Sequence, residues 1–192
     1  CPHYIFPHSG ILTVLSAIDG SRSVEMSSTG REGFIGLPML AFGNASEGDV
    51  KALVSGTATH VPNLSLREAS ELFDCVRQSM LRYGRFLNQT LMYSVASARN
   101  HSADQAIALW LLTNMDRLQS PIIPITHEAL SNLHGLRRAT VTTTLAKLAE
   151  EGILETGRGV IQILNRELLE AYGGRFYLKW RSSFDALSET LR

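Results

Sequence analysis

The chain has 192 residues, 44% of them hydrophobic, and its 18 basic and 18 acidic side chains cancel to zero net charge. That length holds one large domain or two small ones, each with its own core. No apolar run approaches the roughly 18–20 residues that cross a bilayer, and two cysteines, Cys1 and Cys75, are too few for a disulfide framework or a four-cysteine cluster.

No N-terminal stretch has the basic, apolar, small-residue order of a secretory signal, so a cytoplasmic setting away from membranes is the expectation. The chain opens on Cys1 rather than Met, which leaves room for upstream sequence. Zero net charge argues against a nucleic-acid partner only until the distribution is examined. Between positions 136 and 148 stand Arg137, Arg138 and Lys147 with no acid among them. A phosphate backbone needs a local positive face, not a positive total. An ordinary solvated face would have the same charges.

Residues 1–64 read as short extended runs broken by turns. Ser9–Ala17 and Ser23–Ser28 flank an Asp19-Gly20 pair, a strong hairpin signal. Further strands fit near Gly33–Ile35, Val50–Val54 and Thr57–Val61. The expectation is an antiparallel β-barrel or sandwich, incomplete at about six strands. From residue 66 the spacing becomes helical. Phe73, Val76, Met80, Tyr83, Leu87, Thr90 and Ser94 recur every three or four positions, and Leu91, Val95 and Ala98 continue the edge. A helix of that length, roughly 39 Å at 1.5 Å per residue, overreaches a small domain. It predicts a seam that pairs with its twin across a dimer axis; lying on the chain's own barrel is the alternative. Ser102 or Asn100 caps a further helix, Ala103–Leu118, with Ile107, Leu111, Leu112 and Met115 inward.

Beyond Pro121 and Pro124, Thr126 is placed to cap a short helix, His127–Leu133, and Gly135 to make a turn. A second helix is predicted from Arg137 to Glu151, stopped by Gly152. Two β runs, Ile153–Thr156 and Val160–Leu164, are hinged at Gly157-Arg158-Gly159, and Asn165 caps a last helix, Arg166–Tyr172. Helix, turn, helix, hairpin is the order of a winged helix-turn-helix. The whole is thus α+β: a barrel over 1–64, a dimerisation helix over 65–100, a winged helix-turn-helix over 101–175 and a C-terminal extension over 176–192.

The second helix reads GLRRATVTTTLAKL, with four threonines within five positions. Threonine is a mediocre helix former, so this surface answers to some other demand. With Val141 at zero on a helical wheel, Leu145 and Leu148 fall within about 40° of it and face the core. Ala139, Thr143 and Ala146 fall opposite, flanked by Thr140, Thr142 and Lys147. Such a slim face fits a major groove about 12 Å wide, where threonine meets phosphates, base edges or thymine methyls and arginine meets guanine or phosphate. The predicted DNA-contacting set is Thr126, Arg137, Arg138, Ala139, Thr140, Thr142, Thr143, Lys147 and Arg158.

The string ITHEALSNLHGLRRATVTTTLAKLAEEGILETGRGVIQI, residues 125–163, resembles the DNA-binding domain of the Crp/Fnr regulators, and the order of elements resembles that family over nearly the whole chain. Gly30–Pro38 is similar to a Gly-Arg-Glu-Gly segment of one bacterial subgroup. The resemblance implies a homodimeric transcription regulator on a palindromic operator, with RNA polymerase as a further partner. Of the three base-contacting positions of the family pattern, Arg138 matches the first, whereas Ala139 and Thr143 replace a glutamate and an arginine. Relatives that bind cyclic nucleotides carry a Gly-Glu pair and a later arginine. Here Gly36 is followed by Leu37-Pro38, and Asp49 stands where the arginine belongs. A carboxylate beside a phosphate repels it, so Gly36, Leu37 and Asp49 are expected to mark a degenerate effector pocket. The iron–sulfur branch needs four cysteines. His3, His8 and His60 read as surface or turn histidines rather than haem ligands, and no cofactor is expected.

No Gly-x-Ser-x-Gly elbow and no helical zinc spacing occurs, which points away from an enzyme. Cys75 reads as a buried small apolar residue, with a redox-sensing thiol as the alternative. Met39, Met80 and Met92 read as packing, and Trp110 as core. The rival reading is a dimeric ligand-sensing or protein-interaction module that does not read DNA.

Overall fold

The computed structural model describes residues 3–17, 23–37 and 48–189. Cys1, the Asp19-Gly20 turn, Pro38 and Met39 lie outside them. Five strands come first: β1 His3–Pro7, β2 Ile11–Ala17, β3 Ser23–Thr29, β4 Asp49–Val54 and β5 Ala58–Pro62. β2 reads ILTVLSA, and its alternation buries Ile11, Thr13 and Leu15 on one face. It runs antiparallel between β3 and β4, while β1 pairs antiparallel with β5. The antiparallel β unit expected over 1–64 is thus present, its described strands pairing as two antiparallel sheets. Gly33–Ile35 is not a strand; it contributes one bridge, Ile5 to Ile35. The sequence reading had no strand at β1, whose aromatic run is bounded by prolines.

Helix α1, Asn63–Leu72, buries none of its residues. Helix α2, Asp74–Asn100, has 27 residues and turns Met80, Tyr83, Phe86 and Ser97 inward. The Tyr83 ring lies 4.8 Å from that of Phe34, and its hydroxyl is 2.8 Å from Thr29 Oγ1. Met80 and Tyr83, expected in a seam between subunits, thus sit in the protomer's own core, with Val76 and Leu87 packed against it. Phe73 and Ser94 are exposed and Leu91 half-buried. The large apolar side chains that α2 leaves exposed are Leu81, Met92 and Val95, of which only Val95 belongs to the expected edge. Met92 is therefore not packing, and Cys75, expected to be buried, is exposed.

Helix α3, Ala103–Leu118, begins at Ser102 with a capping box completed by Gln105. It buries Ile107, Leu111, Leu112 and Met115 as expected, and Trp110 too. Next come β6 Ile122–Ile123, α4 His127–His134, α5 Arg138–Glu150, β7 Leu154–Gly157 and β8 Val160–Ile163. The three strands form one sheet in the order β6-β8-β7. Helix α6, Arg166–Glu189, continues well past the expected end at Tyr172, with a kink at Gly174 (φ 56, ψ −150). Past the kink Tyr177, Trp180, Phe184 and Leu187 form a buried stripe. Asp116 ties α6 to α3: it accepts from Tyr177 Oη at 2.7 Å and pairs with Arg166 and Arg181, each at 2.8 Å. The stack of Trp180 on Phe184, with Phe86 beside both, joins α6 to α2.

The β unit and the C-terminal unit meet through polar contacts that the sequence reading missed. Arg117 donates from Nε to Glu32 Oε1 at 2.8 Å and from an Nη to Ser28 Oγ at 3.1 Å. Trp110 Nε1 donates to Glu25 Oε2 at 2.5 Å. The signal lay in a charged Asp116-Arg117 pair soon after the apolar run 106–112 of the helix, and in the acid of the Gly30-Arg31-Glu32-Gly33 segment.

Candidate nucleic-acid interface

Thr126 caps α4, its Oγ1 accepting from the Ala129 amide at 3.0 Å. The helix ends at Gly135 with φ 63, a left-handed backbone that suits glycine. That turn lets α5 start within three residues. Arg137 is the N-cap of α5 and offers no side-chain cap, so the first amides of the helix point outward unpaired by side chains. At the other end the Gly152 amide reaches the Ala149 carbonyl at 2.9 Å and the Ile153 amide the Leu148 carbonyl at 3.0 Å, which closes the helix.

The threonine content is outweighed by packing. Four threonines in place of alanine cost on the order of 2 kcal/mol in helix propensity. Val141, Leu145 and Leu148 are each 0% exposed, and burying each contributes about 1.5–3 kcal/mol. The helix forms because of its inner edge, which leaves the outer edge free to be chosen for something else.

That outer edge is Arg138, Ala139, Thr140, Thr142, Thr143, Ala146 and Lys147, all exposed, with Arg137 at its start. Thr144, the remaining threonine, is buried and donates to Asp104 Oδ1 at 2.9 Å. Lys147 is not a free cation. Its ammonium donates to Asp104 Oδ2 at 2.5 Å and sits 5.3 Å over the Tyr172 ring. The Lys147 bond holds the Asp104 carboxyl below the usual carboxylate range and raises the lysine in return. Asp104, which the sequence reading passed over, thus pins α5 to the start of α3. Thr142 Oγ1 lies 3.3 Å from His127 Nδ1, which steadies one hydroxyl of the outer edge. Among the described residues the side chains of Arg137, Arg138 and Arg158 have no hydrogen-bond or ion-pair partner; Arg158 stands exposed at the tip between β7 and β8.

The expected effector-pocket residues stand on different elements of the β unit and its junction with α2. Leu37 packs toward Gly84 of α2, Gly36 has φ 113, and Asp49 opens β4 in the other sheet with its side chain exposed. The histidines of the β unit serve its strands: His8 lies 2.7 Å from Thr59 Oγ1, and His3 stacks edge-on with His60. Among the described residues no three His, Cys, Asp or Glu side chains gather as a metal site, and no helix is long and apolar enough to cross a membrane.

An antiparallel β unit, a long helix and a helix-turn-helix with a β-hairpin wing define a winged helix-turn-helix protein. Residues 105–172 match the Crp-like helix-turn-helix domain family. Over 79 residues the sequence is 34% identical to the cyclic AMP receptor protein of Thermus thermophilus, a match that covers 41% of this chain and 34% of that one. The match therefore spans about a third of that relative's length. A CRP-family transcriptional regulator from Thermus thermophilus shares the fold over 90% of this chain and 88% of its own (TM-score 0.73, 19% identity). FixK2 from Bradyrhizobium japonicum does so over the same shares (TM-score 0.73, 17% identity). The chain thus carries a Crp-like helix-turn-helix domain within the fold of the Crp/Fnr transcriptional regulators.

Proposed function

We propose that the protein is a sequence-specific DNA-binding transcription regulator that reads a palindromic operator as a homodimer. The observation that carries this reading is the outer edge of α5: methyls and hydroxyls along the middle, unpaired arginines at the start, and a buried opposite edge. Lodged in a major groove, Arg138 reads a base, Arg137 and the free amides of α5 take a phosphate, and Arg158 on the wing holds the neighbouring backbone. Leu81, Met92 and Val95 on α2 supply an apolar ridge for a second copy of this chain. Two-fold symmetry then sets half-sites about one turn, roughly 34 Å, apart. RNA polymerase is the further partner that this role implies. Leu37 in place of a glutamate, and the exposed Asp49 carboxylate where an arginine would meet a phosphate, support a β unit that does not hold cyclic nucleotides in the usual mode.

Arg138→Ala is expected to weaken binding to the preferred duplex by about 1–3 kcal/mol and to relax preference at one base position. Lys147→Ala should change affinity much less, because Asp104 already neutralises that ammonium. Gel-shift titrations over a set of single-base operator variants measure both. Equal binding by Arg138→Ala and the parent removes that arginine from the reading role. Binding of duplex only in the millimolar range by the parent favours a protein-interaction module instead.

A further inference from the structure

A cleft of about 420 Å³ lies where β3, the ends of α2 and α3, the helix-turn-helix turn and α6 converge. The rings of Tyr93, Trp110, Phe176 and Trp180 line it, among serines and threonines, with Glu25, His101, Arg117 and His134 as its titratable or charged groups. Among the described residues three buried side-chain atoms lack a hydrogen-bond partner, and two of them, Trp180 Nε1 and His134 Nε2, belong to residues of this wall. Trp180 is only 2% exposed. An indole N–H shut off from water without an acceptor carries a desolvation penalty that folded proteins rarely accept without a reason.

We propose that this cleft binds a neutral, planar aromatic compound bearing a hydrogen-bond acceptor, such as an aryl ketone. The volume suits a small molecule, and aromatic rings set edge-to-face among polar groups offer a planar ring both contact surface and hydrogen bonds. Charge selects against an anion, because the Glu25 carboxylate is in the wall and the Arg117 guanidinium is already matched by Glu32. Both Glu25 oxygens already accept from the protein, one from Thr13 and the other from Trp110, which holds the carboxylate against β2 and α3. The compound's acceptor takes the Trp180 N–H as the rings part around it. Burial pushes His134 down to about 4, so its ring is neutral at pH 7 and offers a hydrogen bond without a charge.

The walls come from both units, so an occupant acts on the contact between them. Trp110 holds Glu25 of β3, and Gly135, in the turn that leads into α5, sits against Val24 of the same strand. A ligand wedged beside these contacts biases how the reading head is held on the β unit. The cleft is separate from the α5 edge, and ligand binding is measured without DNA, so either proposal can fail alone.

The test uses the full chain and prodan, a neutral naphthalene ketone whose emission shifts to the blue in apolar surroundings. Saturable binding at one site per chain is expected. Ala106→Phe, which puts a ring into the cleft from α3, should lower affinity about tenfold or more. Trp180→Phe, which keeps a ring and deletes the N–H, should lower it about fivefold. Thermal denaturation shows that each variant folds, and Trp180→Phe carries the test where Ala106→Phe does not. Unchanged prodan affinity in a folded variant of either kind overturns the proposal. So does loss of binding on Leu81→Ser with Met92→Ser, which would put the dye on the exposed ridge of α2.

Discussion

Glu32→Ala should lower the free energy of unfolding by about 3–5 kcal/mol, the usual result of removing one partner of a buried ion pair. The Glu32 and Arg117 side chains are 2% and 3% exposed. Without the carboxylate, the guanidinium keeps one hydrogen bond to Ser28 and its seat 5.1 Å over Trp180, but no counter-charge. The Gly30 amide also loses its acceptor, Glu32 Oε2 at 3.0 Å. Urea denaturation followed by tryptophan fluorescence measures the loss. Replacing both partners by apolar side chains of similar length, Glu32→Leu with Arg117→Met, should recover much of it, because no uncompensated charge remains. A loss below about 1 kcal/mol for Glu32→Ala, the range of solvated surface pairs, would mean that water reaches the pair. The same variant loosens the β unit from α3, so separate transitions for the two units are the further signature.

The second large effect concerns DNA. Ala139 and Thr143 lie at the centre of the exposed α5 edge, away from Val141, Leu145 and Leu148. Ala139→Glu with Thr143→Glu puts two carboxylates where the account places the groove. Like charges brought together at an interface cost several kcal/mol, so specific affinity should fall more than about a hundredfold. Both positions are solvent-exposed, and glutamate is a good helix former, so the melting temperature should barely move. Fluorescence anisotropy with a labelled duplex gives the affinity. An affinity within about twofold of the parent would mean that this edge does not meet DNA.

Where sequence and structure agree, the signals were local. Ser102, one of the two caps expected, closes a capping box with Gln105 at the start of α3, Thr126 caps α4, and Gly135 turns the chain left-handed between α4 and α5. The inward edge of α5 followed from its 3.6-residue period alone. The misread features depend on distant partners. Periodicity marks an apolar face of α2 but not what covers it, so Met80 and Tyr83 were placed in a seam between subunits although Phe34 and Thr29 cover Tyr83 within the chain. Gly173-Gly174 reads as a helix end. The chain instead kinks and resumes, because Tyr177, Trp180, Phe184 and Leu187 share one face that α2 and α3 can bury. That stripe was visible in the sequence at spacings of three and four. The Glu32–Arg117 pair spans 85 positions, and no local pattern announces it. Lys147 looked like a phosphate contact for the same reason: its partner Asp104 is 43 positions away.

The account stands on α5 entering a major groove, and selection of bound duplexes from a random pool, followed by guanine-N7 methylation interference on the enriched sequence, tests that most directly. It predicts an inverted repeat with half-sites centred about 10–10.5 base pairs apart, and interference at a guanine in each half that Arg138→Ala abolishes. A pool that stays random, or an enriched sequence indifferent to methylation in the major groove, would contradict it.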